Sequence, residues 1–92
     1  LTVITVRIPT QLRTVTGGAG EVSVEGATIG EVLKALSDAH DGFAERIFDE
    51  NGGLRRFVNV FLDDEDVRFL EGLDTPVLAD QTVSIIPAVA GG

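Results

Sequence analysis

Residues 28 to 40, TIGEVLKALSDAH, carry apolar side chains at helical spacing. Ile29, Val32, Leu33 and Leu36 fall on one stripe, and Glu31, Lys34 and Asp38 are left to face water. Thr28 followed three residues later by Glu31 has the spacing of a capping box, which sets the start of the helix. A helix with one apolar stripe must lay it on a partner layer. The segments on either side alternate with a period of two, so that partner is a sheet.

In TVITVRI the residues Ile4, Val6 and Ile8 alternate with Thr5 and Arg7, and Pro9 ends the strand. TGGAG at 16 to 20 supplies a flexible turn, after which EVSVE puts Val22 and Val24 on one face and Glu21, Ser23 and Glu25 on the other. These two strands read as a hairpin. FVNVFL at 57 to 62 is a further strand: Val58, Val60 and Leu62 form an aliphatic face directed at the core, while Phe57 and Phe61 flank Asn59 on the other. DDED turns the chain into VRFL, and after EGLDTPVLAD the final strand is QTVSIIP. Between helix and third strand, Phe43, Ile47 and Phe48 hint at one more helical turn before ENGG breaks the chain, so 41 to 56 is expected to be a short turn and a mobile loop.

Hairpin, helix, then more strands in 92 residues leave room for one helix layer on one mixed sheet. The right-handed crossover places the last strand parallel beside the first. This is the β-grasp arrangement, an α+β fold, expected over residues 1–87. Its last strand is central and anchors the base of a tail formed by 88–92.

Several function classes fall away on composition. Seven basic residues against fifteen acidic ones give a formal charge of −8, which repels nucleic-acid backbones and anionic lipid surfaces. No apolar run approaches the length of a membrane span, and no basic-then-apolar leader is present, so the expectation is a cytoplasmic protein. There is no cysteine, hence no disulfide, thiolate metal site or cysteine nucleophile. The single histidine, His40, lies near the end of the helical pattern, where a cation suits the helix dipole, and it has no second histidine with which to build a zinc site. Four adjacent acids at 63 to 66 lack the spaced oxygen ligands and the glycine of an EF-hand loop, and read as a solvated hairpin turn. Arg55 and Arg56 read as a solvated loop edge, with binding of an acceptor as the alternative. No GxxxxGK[ST] loop is present, and Gly17, Gly18 and Gly20 belong to a hairpin turn, so nothing in the chain would hold ATP by itself.

One feature is left unexplained by folding alone. The last strand runs into Pro87 and then AVAGG, an uncharged end closing on two glycines. A small domain of this layout that ends in IIP, a short AVA spacer and a terminal GG resembles the ubiquitin-like sulfur carriers of the ThiS and MoaD family. Within that family, FVNVFLDDEDVRF followed by GLDTPVLADQTVSIIPAVAGG resembles the CysO-type carriers of actinobacteria, and the resemblance spans essentially the whole chain. A single Pro87 followed by Ala88, where many relatives have two prolines, departs from the commonest tail and leaves its chemistry untouched.

The resemblance implies a carrier and co-substrate rather than an enzyme. A ubiquitin-activating-type partner, using its own ATP and magnesium, would adenylate the carboxylate of Gly92, and a sulfur donor would then displace AMP to leave a thiocarboxylate. Ala88, Val89, Ala90 and Gly91 would thread the partner's active site, with no side chain on the last two residues to obstruct a close backbone approach. At most about 3.3 to 3.6 Å per residue gives the five residues from Ala88 to Gly92 a reach of about 17 Å. Sulfur would pass to a biosynthetic enzyme: a cysteine synthase using pyridoxal phosphate, with a metalloprotease later releasing cysteine from the carrier's end, or a molybdopterin, thiazole or thio-sugar synthase.

Strand parity supplies a docking surface. If Val83 and Ile85 are buried, Ile86 is an apolar residue on the open face beside the tail, and Phe57 and Phe61 can join it. Acidic residues ring this patch, and the net charge would steer it toward a basic surface. The alternative is that residues 40 to 56 cover Phe57 and Phe61. Two other functions share these features: a ubiquitin-like modifier joined through Gly92 to lysines of other proteins, and a non-covalent β-grasp interaction domain with an incidental diglycine.

Overall fold

The computed structural model describes residues 2–56 and 58–87. Strands β1 (Val3–Arg7) and β2 (Glu21–Glu25) precede helix α1 (Ile29–Ala39) and the short helix α2 (Phe43–Ile47); strands β3 (Val58–Leu62), β4 (Glu65–Asp66) and β5 (Thr82–Pro87) follow. The five strands form one sheet in the order β2-β1-β5-β3-β4. β1 and β2 pair antiparallel from Val3↔Glu25 to Arg7↔Glu21, β5 lies parallel to β1 with Val6 opposite Val83, and β3 runs antiparallel to β5 from Val58↔Pro87 to Leu62↔Val83. The last strand is therefore central, and the architecture is the β-grasp.

The apolar stripe of α1, Ile29, Val32, Leu33 and Leu36, is fully buried against Ile4 and Val6 of β1, Val60 of β3 and Val83 and Ile85 of β5. Thr28 caps the helix by accepting the Glu31 amide at 3.2 Å. The return half of the capping box is displaced by one residue: the Glu31 carboxylate accepts from the amide of Ala27, at 3.0 Å, rather than from Thr28. Residues 75–77 close over this end of the helix, with the Ile29 amide donating to the Thr75 carbonyl at 2.9 Å and the Val77 amide to the Ala27 carbonyl at 3.0 Å. His40 is the C-cap residue, its amide bonded to the Leu36 carbonyl at 2.9 Å.

Three segments differ from the sequence-based expectation. Residues 43–47 are a helix, α2, whose Phe43 and Ile47 are fully buried in the main core. The chain after it is closed by an isolated bridge between Phe48 and Leu54 and by the Asp49 carboxylate, which accepts from the amides of Asn51 and Gly53. Five residues offer too few turns for helical periodicity to stand out, so this helix forms because the core accepts its two large side chains. The β1–β2 connection is also more than the TGGAG turn: a 3-10 turn at Thr10–Leu12 buries Leu12, and the buried Thr16 hydroxyl bonds the carbonyls of Arg13 and Ala19.

The third difference follows DDED. The returning strand is confined to Glu65–Asp66, and Val67–Phe69 is a 3-10 turn capped by Asp66, whose carboxylate accepts the Arg68 amide at 2.8 Å. Val67 is buried, the Arg68 guanidinium donates to Asn59 Oδ1 at 2.8 Å and to the Arg55 carbonyl at 2.6 Å, and Phe69 is left 87% exposed. Within the turn Asp63 has φ +55°, in the left-handed region. Its carboxylate accepts the Thr82 amide at 3.0 Å and its own amide donates to the Thr82 carbonyl at 2.8 Å, so the turn holds the first residue of β5. Asp63, Asp64 and Glu65 are exposed, as a solvated turn requires, whereas Asp66 is half-buried, and Asp63 and Asp66 have backbone partners.

Candidate functional site

The side chains of β5 divide by strand parity. Val83 and Ile85 are buried under α1, Ser84 is half-buried, and Ile86 is 47% exposed on the opposite, open face of the sheet. β5 is central in the sheet, paired with β1 from Thr82 to Ser84 and with β3 from Val83 to Pro87, so β3 alone holds its last three residues. Ala88, Val89, Ala90, Gly91 and Gly92 lie outside the described residues, as does Phe57.

Register sets the neighbours of Ile86. Asn59 of β3 is directly opposite it, and Phe61 is opposite Ser84, two residues along, so Ile86 and Phe61 share the open face on adjacent strands. Phe61 is half-buried. Both side chains line one shallow depression, together with Arg7, Glu21, Asp63, Asp64, Thr82 and Ser84, and no residue of 40–56 is among them. A second depression continues past Arg7, Ser84 and Ile86 to Pro9, Gln11, Arg13 and Gly20. The structure thus brings Ile86 and Phe61 together beside an acidic rim of Glu21, Asp63 and Asp64.

Arg7 was not singled out by the sequence, although alternation from Ile4 and Val6 already puts it on this face. It stands in the row Glu21–Arg7–Ser84–Phe61 across β2, β1, β5 and β3. Arg55, read from the sequence as a solvated loop edge, is exposed but fixed: its Nε donates to the Glu45 carbonyl at 2.9 Å. The described residues contain no group of three or more His, Asp or Glu side chains placed to hold a metal ion.

The described chain thus ends on a central strand with Ile86 on the open, partly apolar face, and the sequence that follows it is the uncharged AVAGG. A family model, described as "ThiS family", matches residues 6–92 and so runs through Gly91 and Gly92. The chain belongs to the ThiS family. This ThiS-family chain is 48% identical over 91 residues to the sulfur carrier protein CysO of Mycobacterium tuberculosis, covering 97% of this chain and 98% of that one. Its fold matches the crystal structure of the Amycolatopsis orientalis BexX/CysO complex with a TM-score of 0.90 and 47% identity, over 97% of this chain and 99% of that chain. Small archaeal modifier protein 3 of Haloferax volcanii is 39% identical over 66 residues, covering 72% of this chain and 71% of that one. No helix among the described residues is long and apolar enough to cross a membrane.

Proposed function

We propose that this chain is a sulfur carrier whose handle is the Gly92 carboxylate. The observation that carries the reading is the match of the ThiS-family model through Gly92, on a chain whose last strand is the central one. A carboxylate oxygen attacks the α-phosphate of ATP and releases pyrophosphate, forming an acyl-adenylate. A sulfur nucleophile then adds to the acyl carbon and expels AMP, leaving sulfur on the chain's own end as a thiocarboxylate. ATP, magnesium and catalytic groups belong to a ubiquitin-activating-type partner, and this chain acts as co-substrate. Ala88 to Gly91 thread the partner's slot, while Ile86, Phe61 and Phe57 form the docking contact.

Similarity to CysO favours delivery of the sulfur to a cysteine synthase-like enzyme, with a metalloprotease releasing the product. That a relative named CysO has been crystallised with a second protein, BexX, supports the handover of the carrier to a separate partner. The similarity to a Haloferax volcanii modifier protein gives a second reading, conjugation through Gly92 to lysines.

The test is the intact mass of the chain after incubation with ATP, sulfide and the activating enzyme of its own organism, beside a Gly92-deleted control. An oxygen-to-sulfur mass increase confined to the chain with Gly92 supports the carrier. Stable high-mass adducts on lysine-bearing proteins, with no thiocarboxylate, would replace it with the modifier reading. No change with a demonstrably active enzyme would refute both.

A further inference from the structure

The docking face is acidic at its rim but not at its centre. Glu21, Asp63 and Asp64 border the depression, while Arg7 is the one cation among the residues that line it with Phe61 and Ile86. The other arginines near this face are engaged: Arg13 Nε donates to the Ile8 carbonyl at 3.2 Å, and Arg68 bridges Asn59 and the Arg55 carbonyl. Arg7 is exposed and makes no side-chain hydrogen bond to another described residue. Its strand is paired on both sides, to β2 and to β5, so its stem projects from a fixed point two strands from Phe61 and one from Ile86.

A partner surface that was uniformly basic, as the net charge of −8 invites, would press like charge against this guanidinium. Glu21 is its cross-strand neighbour but accepts no hydrogen bond from it, so a partner that covered Arg7 without offering an acceptor would leave guanidinium donors dehydrated and unpaired, at a cost greater than an exposed ion pair returns. We propose that Arg7 is the specificity-determining contact of this face. The cognate partner receives Ile86 in an apolar pocket and sets a carboxylate beside Arg7, inside a basic rim that matches Glu21, Asp63 and Asp64. Other basic surfaces are rejected because they lack that carboxylate. The inference rests on this face being the docking surface of the carrier.

The two kinds of electrostatics predict opposite signs for one substitution. Arg7→Glu makes an acidic chain more acidic, so long-range steering toward a basic partner would strengthen binding. Local pairing predicts the reverse. The experiment measures the equilibrium affinity of the activating enzyme for the full chain, and the KM and kcat of pyrophosphate release, for Arg7→Glu, Arg7→Gln and Lys34→Glu. Lys34 is exposed on α1, across the sheet from the open face, and its replacement changes net charge by the same amount as Arg7→Glu. Melting curves of each variant separate folding from binding, and Arg7→Gln avoids setting two acids opposite each other at the Arg7↔Glu21 pair.

The expected result is a KM and a dissociation constant raised roughly tenfold or more by Arg7→Glu and several-fold by Arg7→Gln, with kcat held, while Lys34→Glu leaves both unchanged or slightly lowers them. If Arg7→Glu binds as well as Lys34→Glu, the assignment of Arg7 is overturned. Binding of the unaltered chain without pyrophosphate release would refute the carrier reading alone, because the Arg7 comparison is still read from affinity. Absence of any binding refutes both.

Discussion

Replacing Asp63 tests whether the turn that holds the start of β5 is stabilised by backbone conformation, by a side-chain hydrogen bond, or by both. Asp63 has φ +55°, and its carboxylate accepts the Thr82 amide at 3.0 Å. A left-handed conformation costs an ordinary L-residue about 1 to 2 kcal/mol, a cost that Asp and Asn ease by local hydrogen bonding and that Gly avoids. An exposed hydrogen bond of this kind contributes about 1 kcal/mol net. Asp63→Ala incurs both penalties and should lose about 2 kcal/mol. Asp63→Gly removes the backbone strain, loses the hydrogen bond and gains unfolded-state freedom, for a loss of about 1 to 1.5 kcal/mol. Asp63→Asn keeps an acceptor and the tolerance for positive φ and should stay within about 0.5 kcal/mol. Relief of repulsion from Asp64 and Glu65 favours all three variants by a few tenths of a kcal/mol, so it cancels in their differences. Denaturant unfolding measures these values directly, and the Ala variant should melt about 8 to 16 °C below the parent. Equal losses in the Ala and Gly variants would show that the left-handed backbone contributes nothing; an Asn variant as unstable as Ala would assign the effect to the charge.

Two further expectations concern the core. Phe43→Ala should cost about 3 to 5 kcal/mol in denaturant unfolding, because the ring is fully buried, whereas a value below about 1 kcal/mol would return 43–47 to the status of a peripheral loop. Gly26→Ala should destabilise by about 1 to 3 kcal/mol, since a Cβ there would sit 2.9 Å from both the Val32 amide nitrogen and its Cγ2 at the helix entrance, and an unchanged melting temperature would show that the β2–α1 connection yields freely.

How much of this molecule is legible in the sequence depends on the range over which each signal acts. The alternation of Ile4, Val6 and Ile8, the stripe Ile29–Leu36 and the Thr28/Glu31 cap are local patterns, and each appears where the sequence puts it. Ile86 on the open face follows from counting two residues along a strand. By contrast, α2 is too short to announce itself, and what makes it a helix is the core space its Phe43 and Ile47 fill. VRFL has the composition of a strand, yet the Asp66 cap and the reach of Arg68 to Asn59 and Arg55 draw it into a 3-10 turn.

The sequence by itself determined the fold class, the faces taken by Ile4, Val6, Val60, Val83, Ile85 and Ile86, and the resemblance that points to the carboxylate of Gly92, because periodicity, capping and terminal motifs are written within a few residues of one another. Only the tertiary structure decided that Arg7, Glu21, Asp63 and Asp64 meet around Ile86 and Phe61, since those residues lie on five different segments. Their approach depends on the register of β5 between β1 and β3, a pairing set by the fit of the whole core.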